Sequence, residues 1–110
     1  MKRLDNLVND ILTRIVDRVL DERPESNVVH EIDFEFGNIY GMLNYNVSVG
    51  YDLAFDLIGC NDYLAIDSIT LNSAFVTSIS ARLQEDLPNV KELLNEKLAK
   101  YELKDLDINL

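Results

Sequence analysis

Between Arg23 and Arg82 the chain has no lysine and no arginine. Across that gap, residues 24–81, it carries eight carboxylates: Glu25, Glu31, Asp33, Glu35, Asp52, Asp56, Asp62 and Asp67. The flanking segments are close to neutral, so most of the net charge of −10 sits in the middle of the chain. A surface built from that stretch repels phosphate, which argues against direct binding to nucleic acid or to an anionic membrane. It favours basic surfaces or cations instead.

Other scarcities exclude further classes. Cys60 is the only cysteine, so no internal disulfide can form, and a reducing, cytoplasmic setting is expected. With one cysteine and one histidine, a zinc site lacks ligands. Two prolines, four glycines and 27% charged residues do not describe a disordered chain. No apolar run approaches the roughly 18 residues that span a bilayer. The N-terminus, Met1-Lys2-Arg3-Leu4-Asp5, brings in an acid early and lacks the apolar stretch of a signal peptide. There is no glycine-rich phosphate loop and no G-x-S-x-G elbow. No internal repeat or low-complexity block stands out. A length of 110 residues with 47% apolar content fits one domain, residues 1–110, with one modest core.

What is present reads first as a helix. Leu4, Leu7, Val8, Ile11, Leu12, Ile15, Val16, Val19 and Leu20 recur at three- and four-residue spacing. Asp10 and Arg14 stand four apart in the favourable order for pairing. Pro24 ends the helix by about Arg23. The period then falls to two. In residues 28–36 the even positions, Val28, His30, Ile32, Phe34 and Phe36, are mostly apolar, whereas Glu31, Asp33 and Glu35 alternate with them. Gly37-Asn38 suits a two-residue hairpin loop, which needs positive φ. That loop sets Phe36 opposite Ile39, Ile32 opposite Leu43, His30 opposite Tyr45 and Val28 opposite Val47. The other face then pairs Glu35 with Tyr40, Asp33 with Met42 and Glu31 with Asn44. A slip of one residue would put carboxylates into the core.

Alternation continues to Leu57. A straight strand from Ile39 to Leu57 would span about 60 Å, so the segment must bend, bulge or turn, and Gly50-Tyr51-Asp52 is a candidate turn. Gly59-Cys60-Asn61-Asp62 is another. Residues 63–71 form a further strand with a β-bulge near Asp67-Ser68 that keeps Leu64, Ile66, Ile69 and Leu71 on one face. Residues 73–79 suit strand or helix. From Ser78, the spacing of Ile79, Leu83 and Leu87 is helical until Pro88. A last helix is expected from Val90 to about Leu103, capped by Asn89 and burying Val90, Leu93, Leu94, Leu98 and Tyr101. Residues 104–110 read as a frayed tail or a short edge strand. The expected fold is α+β: an N-terminal helix, an antiparallel meander of three or four strands, and one or two C-terminal helices packed on one sheet face.

Glu31, Asp33 and Glu35 would then repeat about 6.7 Å apart on the face turned away from the helices. That spacing resembles the phosphate repeat of an extended nucleic-acid strand. Any half-solvated strand shows polar-out alternation, but solvated sheets normally mix signs and favour lysine. The expected function is therefore a non-catalytic protein-binding module, an inhibitor or adaptor that docks Glu31, Asp33, Glu35, Tyr40, Met42 and Asn44 on a basic, nucleic-acid-binding partner. Tyr40 and Met42 add cation–π and apolar contact there. The first alternative is an assembly subunit that self-associates through its sheet edge or the first helix. The second is a divalent-metal-binding protein, with Asp52, Asp56, Asp62 and Asp67 near predicted turns. No segment follows the calcium-loop pattern, and Asp105-Leu106-Asp107-Ile108-Asn109 matches only its opening. A Cys60–His30 dyad would require the fold to join them, and solvated strand carboxylates lack the pocket that acid–base pairs need. No catalytic residue, resident metal or cofactor is expected.

Overall fold

The apolar stripe of the first segment makes α1 (Lys2–Glu22), and Leu4, Leu7, Val8, Ile11, Ile15, Val16 and Val19 are all buried along it. Arg23 ends it with φ 48°, its N–H donating to the Val19 carbonyl at 3.0 Å. This is the left-handed cap that glycine usually provides, and Pro24 then prevents continuation. The computed structural model describes residues 2–37, 39–56, 58–59, 61–81 and 90–106. Its remaining elements are β1 (His30–Phe36), β2 (Ile39–Asp56), β3 (Asn61–Ala81), α2 (Val90–Ala99) and β4 (Lys104–Asp105). The strands form one antiparallel sheet in the order β1-β2-β3-β4. The fold is α+β, as expected. Among the described residues no helix is long and apolar enough to cross a membrane.

The β1–β2 register is the one the hairpin loop demands, from Phe36 opposite Ile39 to His30 opposite Tyr45. Gly37 has φ 62°, and Asn38 lies outside the described residues. The ladder stops short of the expected Val28–Val47 pair. Asn27, at φ 62°, donates its N–H to the Val47 carbonyl instead, and Val28 is left exposed. On the inner face Phe34 lies against Gly41, where a Cβ would come within 2.8 Å of the Phe34 ring.

β2 does not turn at Gly50. Gly50 instead admits the Asp67 carboxylate and the Ser68 hydroxyl of β3, which a side chain would strike. The ribbon bends by bulging. Thr77, Asn72 and Asp67 are each an extra residue on β3 where the pairing with β2 shifts. The predicted bulge at Asp67 is one of these. All three follow a five-residue repeat, counter to the expectation that the chain has none: Ile66-Asp67-Ser68-Ile69, Leu71-Asn72-Ser73-Ala74, Val76-Thr77-Ser78-Ile79. Each repeat returns the next apolar residue to the inner face, so Ile66, Ile69, Leu71, Ala74 and Val76 are all buried. Bulges raise the local twist and bend the strand. They explain how 21 residues, about 69 Å if straight, fit a molecule whose longest dimension is 56 Å.

Residues 73–79 are therefore strand, and the strand runs on through Ala81 where a helical pattern was expected from Ser78. Leu83, Leu87, Pro88 and Asn89 lie outside the described residues. α2 ends at Ala99 rather than near Leu103. Tight turns follow, and Leu103, at φ 59°, donates its N–H to the Leu71 carbonyl at 2.7 Å, which leads the chain into β4 beside β3. Leu94 and Leu98 are buried as expected, whereas Leu93 is 41% exposed. Asn95 of α2 completes the edge of β3. It accepts from Val76 N–H at 2.7 Å and donates to Val76 O at 3.3 Å, in the manner of a neighbouring strand. Both helices share one apolar cluster with the inner face of the sheet.

Candidate partner-binding surfaces

The alternation of β1 sends Ile32 and Phe34 into the core and leaves Glu31, Asp33 and Glu35 exposed on the other side. Antiparallel pairing puts Asn44, Met42 and Tyr40 directly across from them. The six sequence-predicted residues therefore share one face. Tyr40 is exposed, and Met42 and Asn44 are half-buried. Asp33, Glu35, Tyr40 and Met42 line a shallow hollow of about 510 Å³ together with Ser78, Ser80 and Arg14.

Arg14 does more than pair along α1. Its guanidinium does hold Asp10, at 2.7 Å, and also donates to the Glu35 carbonyl at 2.7 Å. One cation thus reaches the edge of the acidic face from α1. β1, β2 and β3 supply no lysine or arginine, because residues 24–81 contain none. Farther along, the outer face satisfies its own polar groups. The Asn72 amide donates to Asn46 Oδ1 and Ser48 Oγ, both at 2.9 Å, and to Asn27 Oδ1 at 3.2 Å. The Ser48 hydroxyl also donates to Asn27 Oδ1, at 3.0 Å. This network ties the Asn72 bulge to Asn27, Asn46 and Ser48.

His30, Tyr45 and Asp5 are engaged within the fold. His30 is half-buried, lies tilted on the Tyr45 ring at 5.5 Å, and has Nε2 at 2.8 Å from the Glu25 carbonyl. Cys60 lies outside the described residues. Burial pushes the Tyr45 phenol above its ordinary range. A 2.8 Å bond from Lys97 holds the Asp5 carboxyl below the usual carboxylate range and links α2 to α1. Among the described residues no three His, Cys, Asp or Glu side chains converge as a metal site.

A second surface went unrecognised in the sequence. α1 stops at Glu22, and Arg23 reaches the ribbon there, donating to the Leu64 carbonyl at 3.2 Å. Beyond that point the β2–β3 hairpin projects as an arm with no helix of the described residues over it. Leu53 and Leu64 pair across the strands at 69% and 55% exposure, flanked by Phe55 at 55% and Tyr51 at 43%. All four continue the inner, apolar face of the sheet. The signal was available in lengths. Twenty-one helical residues cover about 32 Å, about half the length of the straight ribbon, yet the apolar alternation of β2 does not stop where the helix does. Comparison of the chain with family models, with curated proteins and with solved structures gives no match in any of the three.

Proposed function

We propose that this protein is non-catalytic and acts by binding another protein, docking the outer face of β1 and β2 on a basic surface. One observation carries the reading: Glu31, Asp33 and Glu35 stand side by side and exposed, and β1, β2 and β3 contain no lysine or arginine. Tyr40 and Met42 lie among them and offer an aromatic ring and a thioether to arginine and lysine stems. Encounter with such a partner is steered by charge and weakens as salt rises. A partner that normally holds a nucleic acid fits best, because the row of carboxylates then competes with phosphates for the same cations. Self-association through α1 is less well supported, since its apolar stripe is enclosed in the core.

The test is affinity capture by wild type and by the triple variant Glu31→Lys, Asp33→Lys, Glu35→Lys. The expected result is a basic partner held at low salt, released at high salt, and lost from the variant. Equal capture by both chains would end the proposal.

A further inference from the structure

We infer that the inner face of the β2–β3 arm is a docking platform for a cationic amphipathic helix of another protein. The inference rests on the reading of a basic protein partner, but it concerns the opposite side of the sheet from Glu31, Asp33 and Glu35.

The first argument is continuity. The same face of the same ribbon already carries α1, and the helix ends where Arg23 meets Leu64 O. Leu53, Phe55 and Leu64 extend the apolar face beyond that end without cover. A ribbon two strands wide, with strands about 4.8 Å apart, presents a track about as broad as one helix of 10–12 Å diameter. Tyr51 to Phe55 rise about 13 Å, the length of about nine helical residues. Such a helix would present apolar anchors at i, i+3, i+4 and i+7, the spacing used for docking in apolar grooves.

The second argument is charge. Residues 51–67 contain Asp52, Asp56, Asp62 and Asp67 and no lysine, arginine or histidine. Asp62 is exposed and sits opposite Phe55, on the apolar side itself, and Asp52 and Asp67 are exposed nearby. A second copy of this chain would bring two such sets of four carboxylates together, with only the Arg23 guanidinium, already bonded to Leu64 O, beside each arm, so like charges disfavour it. An apolar stripe bordered by lysine or arginine meets both requirements.

The probe is a fluorescently labelled 18-residue helical peptide of leucine and lysine, with leucines at helical spacing. Its controls are a scrambled isomer and a leucine–glutamate version. Anisotropy is read on the full chain. Leu53 and Leu64 are exposed, so Leu53→Ser with Leu64→Ser leaves the fold intact, which circular dichroism verifies. The expected result is binding by wild type that drops by about tenfold or more in the double serine variant. Binding persists in Glu31→Lys, Asp33→Lys, Glu35→Lys, and both controls bind weakly. Equal binding by the serine variant, or loss only in the triple lysine variant, would place the peptide on the outer face and overturn the inference. A wild-type dimer that the serine variant dissociates would overturn it too, by making the second copy the occupant. Loss of partner capture in the lysine variant is a separate result and bears only on the outer face.

Discussion

Leu53 and Leu64 on the arm should be nearly dispensable for folding, whereas Leu43 and Leu71, on the same sheet face, should not. Leu43 and Leu71 are fully buried, and truncating such a residue to alanine removes its transfer energy and leaves a cavity, for about 2–5 kcal/mol. Leu53 and Leu64 are 69% and 55% exposed, so only a third to just under half of each side chain is out of water. Alanine removes three carbons at about 0.8 kcal/mol each when fully buried, which scales to about 1 kcal/mol at either site with no closed cavity. The chain has no tryptophan, so urea unfolding is best followed by far-ultraviolet circular dichroism. With a urea slope of about 2 kcal/mol per molar, Leu71→Ala should lower the midpoint by about 1–2.5 M and Leu64→Ala by about 0.5 M. The measurement should be repeated at low and high protein concentration. If Leu64→Ala costs as much as Leu71→Ala, the arm face is covered in the free protein, and the reasoning about an open platform is wrong.

Gly41→Ala should destabilise by about 1–3 kcal/mol, because its Cβ would strike the Ser78 backbone carbonyl as well as the Phe34 ring. Gly50→Ala meets mainly the Ser68 hydroxyl and Asp67 carboxylate, which can swing aside, and should cost less; urea midpoints of the two variants in the reverse order would contradict this. Asn95→Ala should cost about 1–3 kcal/mol in the same assay, because Val76 N–H and C=O lose their partners in a half-buried place, and Asn95→Asp should restore only the acceptor. Tyr45 has its phenol pushed up by burial, so the folded state holds the proton more tightly than the unfolded chain. That contribution is complete below the unfolded value of about 10 and is lost as pH rises from there through the folded value. Unfolding midpoints from pH 8 to 11 should therefore fall more steeply for wild type than for Tyr45→Phe, and parallel curves would refute the assignment.

The parts of the fold legible in the sequence are those where two local signals agree. Gly37-Asn38 and the alternation of residues 28–36 demand the same register, and six predicted surface residues came out on one face. Where only periodicity spoke, it misled. Ile79 fits a helical spacing and equally fits a strand that gains a residue at Thr77, and only pairing with β2 decides between them. The Asp67 bulge was visible because Ile66 and Ile69 break step, but the same step at Asn72 and Thr77 passed unnoticed, since Ala74 is a weak apolar marker. α2 is expected to run to about Leu103 because Tyr101 continues the spacing of Leu94 and Leu98, but Leu103 takes a left-handed conformation and bonds to Leu71 O. The arm and the reach of Arg14 are tertiary facts. The reach of Arg14 depends on which strand edge α1 passes, which no window of sequence contains, and the arm shows only when the length of α1 is set against that of β2.

The most direct test of the acidic docking face is a map of amide shifts by nuclear magnetic resonance, taken as a partner recovered at low salt is titrated in. Changes should concentrate at residues 30–36 and 40–44, with the arm residues 51–55 and 62–66 responding only if the partner also carries the amphipathic helix. Changes confined to α1 and α2, or none across β1, would contradict the acidic docking face.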